Sequence, residues 1–194
     1  MPGVIVVAGI PGVGKTTILD EVQKTVKRKK LAIDVVNFGT VMTRVFRRHG
    51  QTLRRDEMRR KRIEVQRKIQ VEAAKEIASQ ARKRTILVDT HVFVRTAAGV
   101  WPGLPLQVIQ PLRPRMIVLF EASPKEISDR RRKDRLRIRD GEVQEKVVSQ
   151  LEWSRRMASA DAVLTGAPVK IIRNEKGQQK RAARELLETI EKHL

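Results

Sequence analysis

Eight residues near the start of the chain constrain its fold more than any other feature. Residues 9–16 read Gly-Ile-Pro-Gly-Val-Gly-Lys-Thr and match the pattern G-x-x-x-x-G-K-[ST] at every specified position. The apolar, β-branched run of residues 4–8 predicts a buried strand before them, and residues 15–30 predict a helix after them. A strand, a glycine-rich loop and a helix in this order are typical of a phosphate-binding P-loop. A turn that merely joins a strand to a helix would have no need of Lys and Thr at these two positions.

The residue types of this loop indicate nucleoside triphosphate chemistry. Glycines let the backbone curl until successive N–H groups and the N-terminus of the helix point at one anion. In such loops the lysine, here Lys15, reaches the β- and γ-phosphates, and the hydroxyl of Thr16 ligates Mg²⁺. The residues that we predict to bind the nucleotide phosphates are Ala8, Gly9, Ile10, Pro11, Gly12, Val13, Gly14, Lys15, Thr16 and Thr17.

Composition indicates a single-domain protein without a membrane span and leaves two explanations for its positive charge. The 194 residues fit one domain, and the chain has neither a long apolar run for a membrane span nor a leader peptide. Zero cysteines exclude disulfides and thiolate chemistry, which fits a cytoplasmic protein. The formal net charge of +20 fits either polyanionic nucleotide substrates or a nucleic-acid-binding surface. Aromatic residues make up only 3% of the chain, which provides poorly for base stacking.

Apolar runs alternate with amphipathic stretches along the whole chain, which is typical of a parallel α/β sheet. The predicted strands are residues 4–8, 32–38, 85–89, 116–120 and 169–172. The predicted helices are residues 15–30, segments within about 39–84, one after Pro124, one from 141 to about 158, and a last one that runs to 194. We therefore predict an α/β fold of three layers, α/β/α, with a five-stranded parallel sheet in a single domain of residues 1–194. The segment of about 39–84 is longer than one crossover requires, which indicates an inserted helical piece that binds substrate.

The third predicted strand ends in Leu-Val-Asp-Thr-His, residues 87–91. Parallel sheets bind ligands at the carboxyl ends of their strands, and an acid beside the P-loop strand commonly holds Mg²⁺ through water. Asp89 is the candidate for that role, although a helix cap or a turn would also account for it. His91, taken alone, is more often structural than functional.

An ordered series of motifs resembles the archaeal adenylate kinases from end to end. Residues 89–96 and 99–105 are similar to that family's DTH…T…GYLPGLP stretch, with Trp101 in place of the usual Tyr. The family's glycine loop corresponds to residues 9–16, its Asn-[Tyr/Phe]-Gly turn to 37–39, its Arg-Asp-[Glu/Gln]-Met-Arg segment to 55–59, its Arg-x-Arg lid to 137–139 and its closing motif to 169–177. Extra cations at Arg132, Lys133 and Arg135 distinguish the lid of this chain and leave its substrate breadth open.

The resemblance implies the reaction MgATP + AMP ⇌ 2 ADP, with Mg²⁺ as cofactor, in a cytoplasmic homotrimer. It implies that Lys15, Arg130, Arg137 and Arg139 act on the transferring phosphates, the arginines from a short Arg-rich lid over about 130–141. Arginine suits this task because its planar fork pairs bidentately with phosphate and keeps its charge. The other implied contacts are AMP with Phe38, Gly39, Arg59 and His91, the adenine of ATP with Asn174 and Gly177, and Mg²⁺ with Thr16 and, through water, Asp89.

Two other functions stay open at the level of the sequence. One is a different small P-loop kinase, acting on another nucleoside monophosphate or on a small alcohol such as shikimate. The other is an RNA- or ribosome-associated P-loop NTPase, for which the positive charge is the main feature. For the lid cations the alternative is a solvated basic helix face. Trp101 and Trp153 are most simply packing residues.

Overall fold

A five-stranded parallel sheet lies at the centre of the fold. The computed structural model describes residues 2–49, 63–96, 99–133 and 144–193. In chain order the elements are β1 (Gly3–Ala8), α1 (Lys15–Lys29), β2 (Ile33–Asn37), α2 (Phe38–Arg48), α3 (Ile63–Gln80), β3 (Thr85–Asp89), β4 (Phe93–Thr96), β5 (Gly99–Pro102), α4 (Leu106–Leu112), β6 (Pro114–Glu121), α5 (Pro124–Lys133), α6 (Gln144–Thr165), β7 (Val169–Arg173) and α7 (Gln179–His193). The strand order of the main sheet is β2-β3-β1-β6-β7, and β4 and β5 form a separate antiparallel pair.

The side chains of β1 alternate between two hydrophobic cores. Val4, Val6 and Ala8 belong to a core that also contains residues of α2, α3 and α4. Ile5 and Val7 belong to a second core that contains residues of α1 and α7. Because successive strand residues face opposite sides of the sheet, this alternation produces three layers, with helices on both faces.

The register of the sheet brings the functional segments to one edge. Strand β1 pairs with β3 so that Val7 lies opposite Asp89, and β2 pairs with β3 so that Asn37 also lies opposite Asp89. On the other side, Ala8 of β1 lies opposite Leu119 of β6. The loop after β1 therefore has the carboxyl ends of β3 and β6 as its neighbours.

The three-layer P-loop fold and all five strands predicted from the sequence are confirmed. Three details differ. Phe38, predicted as the end of a strand, is the first residue of α2, because the Asn37 side chain accepts a 3.1 Å hydrogen bond from the Thr40 N–H and caps the helix. Helix α6 continues to Thr165, beyond the predicted end near 158. The hairpin β4–β5 and the short helix α4 were not predicted. Of the helices described, none combines the length and the apolar character needed to cross a membrane.

Candidate active site

The loop between β1 and α1 has the geometry of an anion cradle. Ile10 and Val13 are buried and anchor the loop in the core on the α1 side of the sheet. Gly14 takes the left-handed conformation, with φ of 84°, and leads directly into α1. The first turn of this helix contains no acidic residue, and Thr16 is exposed there. The positive end of the helix is therefore available to a phosphate group.

Asn174 supports this loop from the end of β7. Its side-chain amide donates a 2.7 Å hydrogen bond to the carbonyl of Val13, and its backbone N–H donates one of 2.7 Å to the carbonyl of Glu121. A Cβ on Gly14 would lie 2.5 Å from Nδ2 of Asn174, so only glycine fits beside this amide. Asn174 as a whole is 3% exposed. The residue predicted to lie near the adenine thus packs under the phosphate loop, and Gly177 follows it in an exposed turn.

Lys15, Asp89 and Asn37 form a chain of polar contacts at the carboxyl edge of the sheet. The Lys15 ammonium donates to Oδ1 of Asp89, and both side chains are largely buried. Nδ2 of Asn37 donates a 2.7 Å hydrogen bond to Oδ2 of the same carboxylate. Each of the three residues belongs to a different strand or strand-to-helix junction. The ends of β2 and β3 and the P-loop are consequently tied together at the place where phosphates would bind.

The residues predicted to contact AMP lie on the α2 side of this edge. The Phe38 side chain is buried in the core at the start of α2, and Gly39 follows it in a half-buried position. Nδ1 of His91 lies 3.4 Å from the carbonyl oxygen of Gly9, at the entrance of the P-loop. Arg59 lies outside the described residues, so its predicted position stays a prediction.

The turn of residues 102–105 packs directly against the segment that contains His91. The N–H of Gly103 donates a 2.8 Å hydrogen bond to the carbonyl of Val92. A Cβ at Gly103 would come within 1.9 Å of the carbonyl oxygen of His91, so a side chain at this position would displace the backbone. The close approach fixes residues 91 and 92 relative to the hairpin β4–β5.

Two arginines of α5 bind the carbonyl oxygens of the P-loop. Nη1 of Arg130 lies 3.1 Å from the carbonyl oxygen of Val13, and its Nη2 lies 3.0 Å from that of Asn174. Nε of Arg131 lies 2.9 Å from the carbonyl oxygen of Pro11, and its Nη2 lies 2.8 Å from Oε1 of Gln150 on α6. Arg130 was predicted as a phosphate ligand, and the structure places it against the loop. The other two predicted lid arginines, Arg137 and Arg139, lie outside the described residues.

One polar pair at this edge was missed in the sequence. Glu121, the last residue of β6, is 4% exposed and accepts hydrogen bonds of 2.7 and 2.6 Å from Nε and Nη2 of Arg155 on α6. This bidentate contact raises the pKa of Arg155 above its ordinary value. The signal that could have found it is an acid at the end of a buried strand, the same signal that singled out Asp89.

The donor set at the loop fits a magnesium ion. Mg²⁺ prefers oxygen ligands and usually takes one or two from the protein, with the rest from water and phosphate. The Thr16 hydroxyl and the Asp89 carboxylate supply oxygens of this kind. Within the part of the chain that is described, no group of three or more His, Cys, Asp or Glu side chains could hold a metal ion by itself. The site therefore suits a metal that arrives together with nucleotide phosphates.

Comparisons with known proteins agree with the motifs. Residues 8–148 match the family model described as an AAA domain. The chain is 41% identical over 189 residues to the adenylate kinase of Sulfurisphaera tokodaii, with 95% of this chain and 97% of the relative covered. It is 43% identical over 189 residues to that of Methanopyrus kandleri, with coverages of 96% and 97%. It is also 41% identical over 187 residues to that of Methanocaldococcus jannaschii, again with coverages of 96% and 97%.

Solved structures with the same fold include two shikimate kinases. The enzyme from Acinetobacter baumannii, in complex with shikimate, has a TM-score of 0.57 at 16% identity and covers 99% of this chain and 94% of its own. The enzyme from Bacteroides thetaiotaomicron has a TM-score of 0.59 at 12% identity, with coverages of 98% and 99%. At such low identity the likeness concerns the fold alone.

Proposed function

The chain belongs to the archaeal adenylate kinases, and on that premise we propose that it catalyses MgATP + AMP ⇌ 2 ADP and so balances the adenine nucleotides. The observation that carries the proposal is the contact of Lys15 with Asp89 at the junction of the P-loop and β3. Such a junction supplies a cation for the transferring phosphate and an oxygen ligand for the metal ion that accompanies the nucleotide.

On the ATP side, the backbone N–H groups of residues 12–16 and the N-terminus of α1 bind the β- and γ-phosphates, and Lys15 neutralises charge on the transferring group. Thr16 and, through water, Asp89 would hold Mg²⁺, which would neutralise part of the charge on the phosphates. The turn of residues 174–177 borders the adenine of ATP. In this account the Asn174 side chain keeps its bond to Val13 and holds the P-loop in shape.

On the lid side, Arg137 and Arg139 close on the phosphates from the segment of about 130–141. Arg130 begins this segment, and its contacts with the P-loop carbonyls align the base of the lid with the ATP site. Closure brings several cations to the transferring group and excludes water, which would otherwise compete with AMP as acceptor. Arg155 is half-exposed at the same edge, and Glu121 fixes the direction of its guanidinium.

On the acceptor side, AMP occupies the space beside the start of α2, within one domain whose insertion spans about 39–84. Arg59 binds the AMP phosphate, Phe38 and Gly39 border its base or ribose, and His91 lies nearby. The support for this side is the position of Asn37: one atom caps α2 and another binds Asp89, so the acceptor helix and the metal ligand share a residue.

We also propose that the chain acts as a cytoplasmic homotrimer. The support for association is a group of exposed apolar side chains at the end of α6 and on the edge strand β7, namely Val163, Leu164, Val169 and Ile171, of which Val163 is 85% exposed. An edge strand with exposed apolar residues is commonly covered by another chain. Light scattering of the purified protein would give the number of subunits.

A panel of acceptors tests the reaction. ADP formation from MgATP is measured with AMP, CMP, UMP, GMP and shikimate in turn, at equal concentrations. AMP should support turnover well above every other acceptor, and two ADP should appear for each AMP consumed. The proposal would be contradicted if shikimate were the one acceptor that supports turnover, or if ATP were hydrolysed at a rate that no acceptor stimulates.

A further inference from the structure

The edge of the sheet opposite the P-loop carries many exposed basic residues. The chain segments that enter β2, β3 and β1 lie side by side there. The Thr85 N–H donates a 3.0 Å hydrogen bond to the carbonyl of Ala32, and the Gly3 N–H donates one of 3.3 Å to the carbonyl of Arg84. The segment that enters β6 joins them where Nη1 of Arg115 lies 3.5 Å from the carbonyl oxygen of Pro2. We call this surface the amino-edge face.

Basic residues far outnumber acidic ones on this face. Among the residues that the structure describes, nine basic ones belong to this face, Arg115 half-buried and the others exposed: Lys27, Arg28, Lys29, Lys30, Arg82, Lys83, Arg84, Arg113 and Arg115. Two acids partly offset them: Asp34 lies 3.1 Å from Arg84, and Glu191 lies 4.0 Å from Lys29. The end of α7 adds Glu188 and Lys192, whose charges cancel.

The ends of helices account for only part of this charge. Cations near the C-terminus of a helix interact favourably with its dipole, and α1, α3 and α4 all end at this face. Lys30 and Arg113, however, have left-handed backbones, with φ of 54° and 43°, at positions where glycine would be the easier residue. Lys30 and Arg113 therefore carry positive charge although the backbone there favours glycine. The repulsion between neighbouring cations also disfavours charge at these positions.

We propose that the amino-edge face binds the phosphate backbone of double-helical nucleic acid. Four adjacent strands, at about 4.8 Å each, spread the cations over about 14 Å, which is comparable with the width of the B-DNA major groove, about 12 Å. The segments 27–32, 82–84 and 113–115 contain no aromatic residue on which single-stranded bases could stack. Contact with phosphates alone makes the binding independent of base sequence and similar for RNA and DNA duplexes.

The face and the P-loop lie at opposite ends of the strands, so a duplex and the nucleotides can bind at the same time. The proposal is independent of the phosphoryl transfer reaction, and each can fail without the other. The proposal also gives a role to the basic residues of the amino-edge face, which lie away from the two proposed nucleotide sites.

Fluorescence anisotropy of a labelled RNA duplex, and of the DNA duplex of the same sequence, tests the proposal over a series of KCl concentrations. The test variant is Arg28→Gln/Lys30→Gln/Arg113→Gln. The matched control is Lys180→Gln/Arg181→Gln/Arg184→Gln on α7, which removes the same number and types of exposed cation from another surface. The circular dichroism spectra and urea unfolding midpoints of both variants verify that they are folded.

The wild type should bind both duplexes with an affinity that falls steeply as salt rises. The test variant should bind at least about tenfold more weakly at low salt. The slope of log affinity against log salt concentration should be less steep by about three, since each lost phosphate contact removes about one unit. The control should change the affinity less than threefold, and saturating MgATP and AMP should displace neither duplex. Equal losses in the two variants, displacement by nucleotides, binding of only one kind of duplex, or no binding by the wild type would overturn the proposal.

Discussion

Lys15 and Asp89 form an ion pair that joins the P-loop to the end of strand β3, and the second oxygen of that carboxylate accepts a 2.7 Å hydrogen bond from Asn37. The exposed fractions of the two charged side chains are 12% and 15%, so the pair is largely shielded from water. Asn37 also caps α2 with its other side-chain atom. One asparagine therefore connects the helix proposed to border AMP with the carboxylate proposed to serve the metal.

Two substitutions at Asn37 separate these contacts. Asn37→Ser keeps an oxygen that can cap α2 but removes the donor to Asp89, whereas Asn37→Ala removes both. Both variants should lower kcat by about tenfold, because removing a hydrogen-bond partner of a metal-ligating carboxylate typically costs about 10- to 100-fold in metal affinity or activity. Both should also lose unfolding free energy with the bond to Asp89, and Asn37→Ala should lose about 1 kcal/mol more than Asn37→Ser because its cap is missing as well. Steady-state rates and urea unfolding measure the two effects. Wild-type kcat in Asn37→Ser would show that the bond to Asp89 has no catalytic role.

The parts of the fold that the sequence predicted are those with a strong local signal. The P-loop motif and the buried strands combine spacing with apolar runs, and the resemblance supplied the order of the remaining motifs. Phe38 was assigned to a strand because it extends an apolar run, but a side-chain cap at Asn37 decides where the helix begins. Strands β4 and β5 have four residues each, too few for a periodic pattern to show.

The contacts that hold the site together were not predictable in the same way. Arg155 binds Glu121 across 34 residues of sequence, and Asn174 reaches Val13 across 161. No local pattern carries such pairs, because they depend on how helices and strands meet in the folded chain. The roles of Arg59, Arg137 and Arg139 stay predictions from the motifs alone.

Replacement of Asn174 distinguishes support of the P-loop from recognition of the base. Asn174→Ala removes the bond to Val13, so KM for ATP should rise and kcat should fall as the loop loses its fixed shape. The ratio of kcat/KM for ATP to that for GTP should stay unchanged, because the side chain faces the loop. A large change in that ratio would instead make the side chain a direct contact of the adenine.

Four single lysine substitutions test the lid. Arg137→Lys and Arg139→Lys should each cost substantial kcat although the charge is conserved, because an ammonium cannot reproduce the two-pronged contact with phosphate. Arg132→Lys and Arg135→Lys are the controls and should change kcat little; Arg132 is exposed and pairs with Asp129. The rates are measured at saturating MgATP and AMP. A flat profile across the four variants would identify the segment as a solvated basic face.

Asp161 makes stability depend on pH. Its Oδ2 is buried without a hydrogen-bond partner, and burial raises its pKa from 3.8 to about 7. Between these values the folded chain holds a proton that the unfolded chain releases, so its stability falls as pH rises, by up to about 4 kcal/mol in total. Asp161→Asn should flatten this part of the profile, and Asp20→Asn, which replaces an exposed carboxylate, should not. Urea unfolding at several pH values between 4 and 8 measures the difference. Parallel profiles for wild type and Asp161→Asn would contradict the assignment.

The most direct test of the account is the rate of AMP-dependent ADP formation by Lys15→Ala at saturating MgATP. A fixed cation on the transferring phosphate typically contributes several kcal/mol to the transition state, so kcat should fall by on the order of 10²-fold or more. The circular dichroism spectrum should match that of the wild type, which verifies the fold. Near-normal turnover in this variant would contradict the claim that the P-loop carries the phosphoryl transfer.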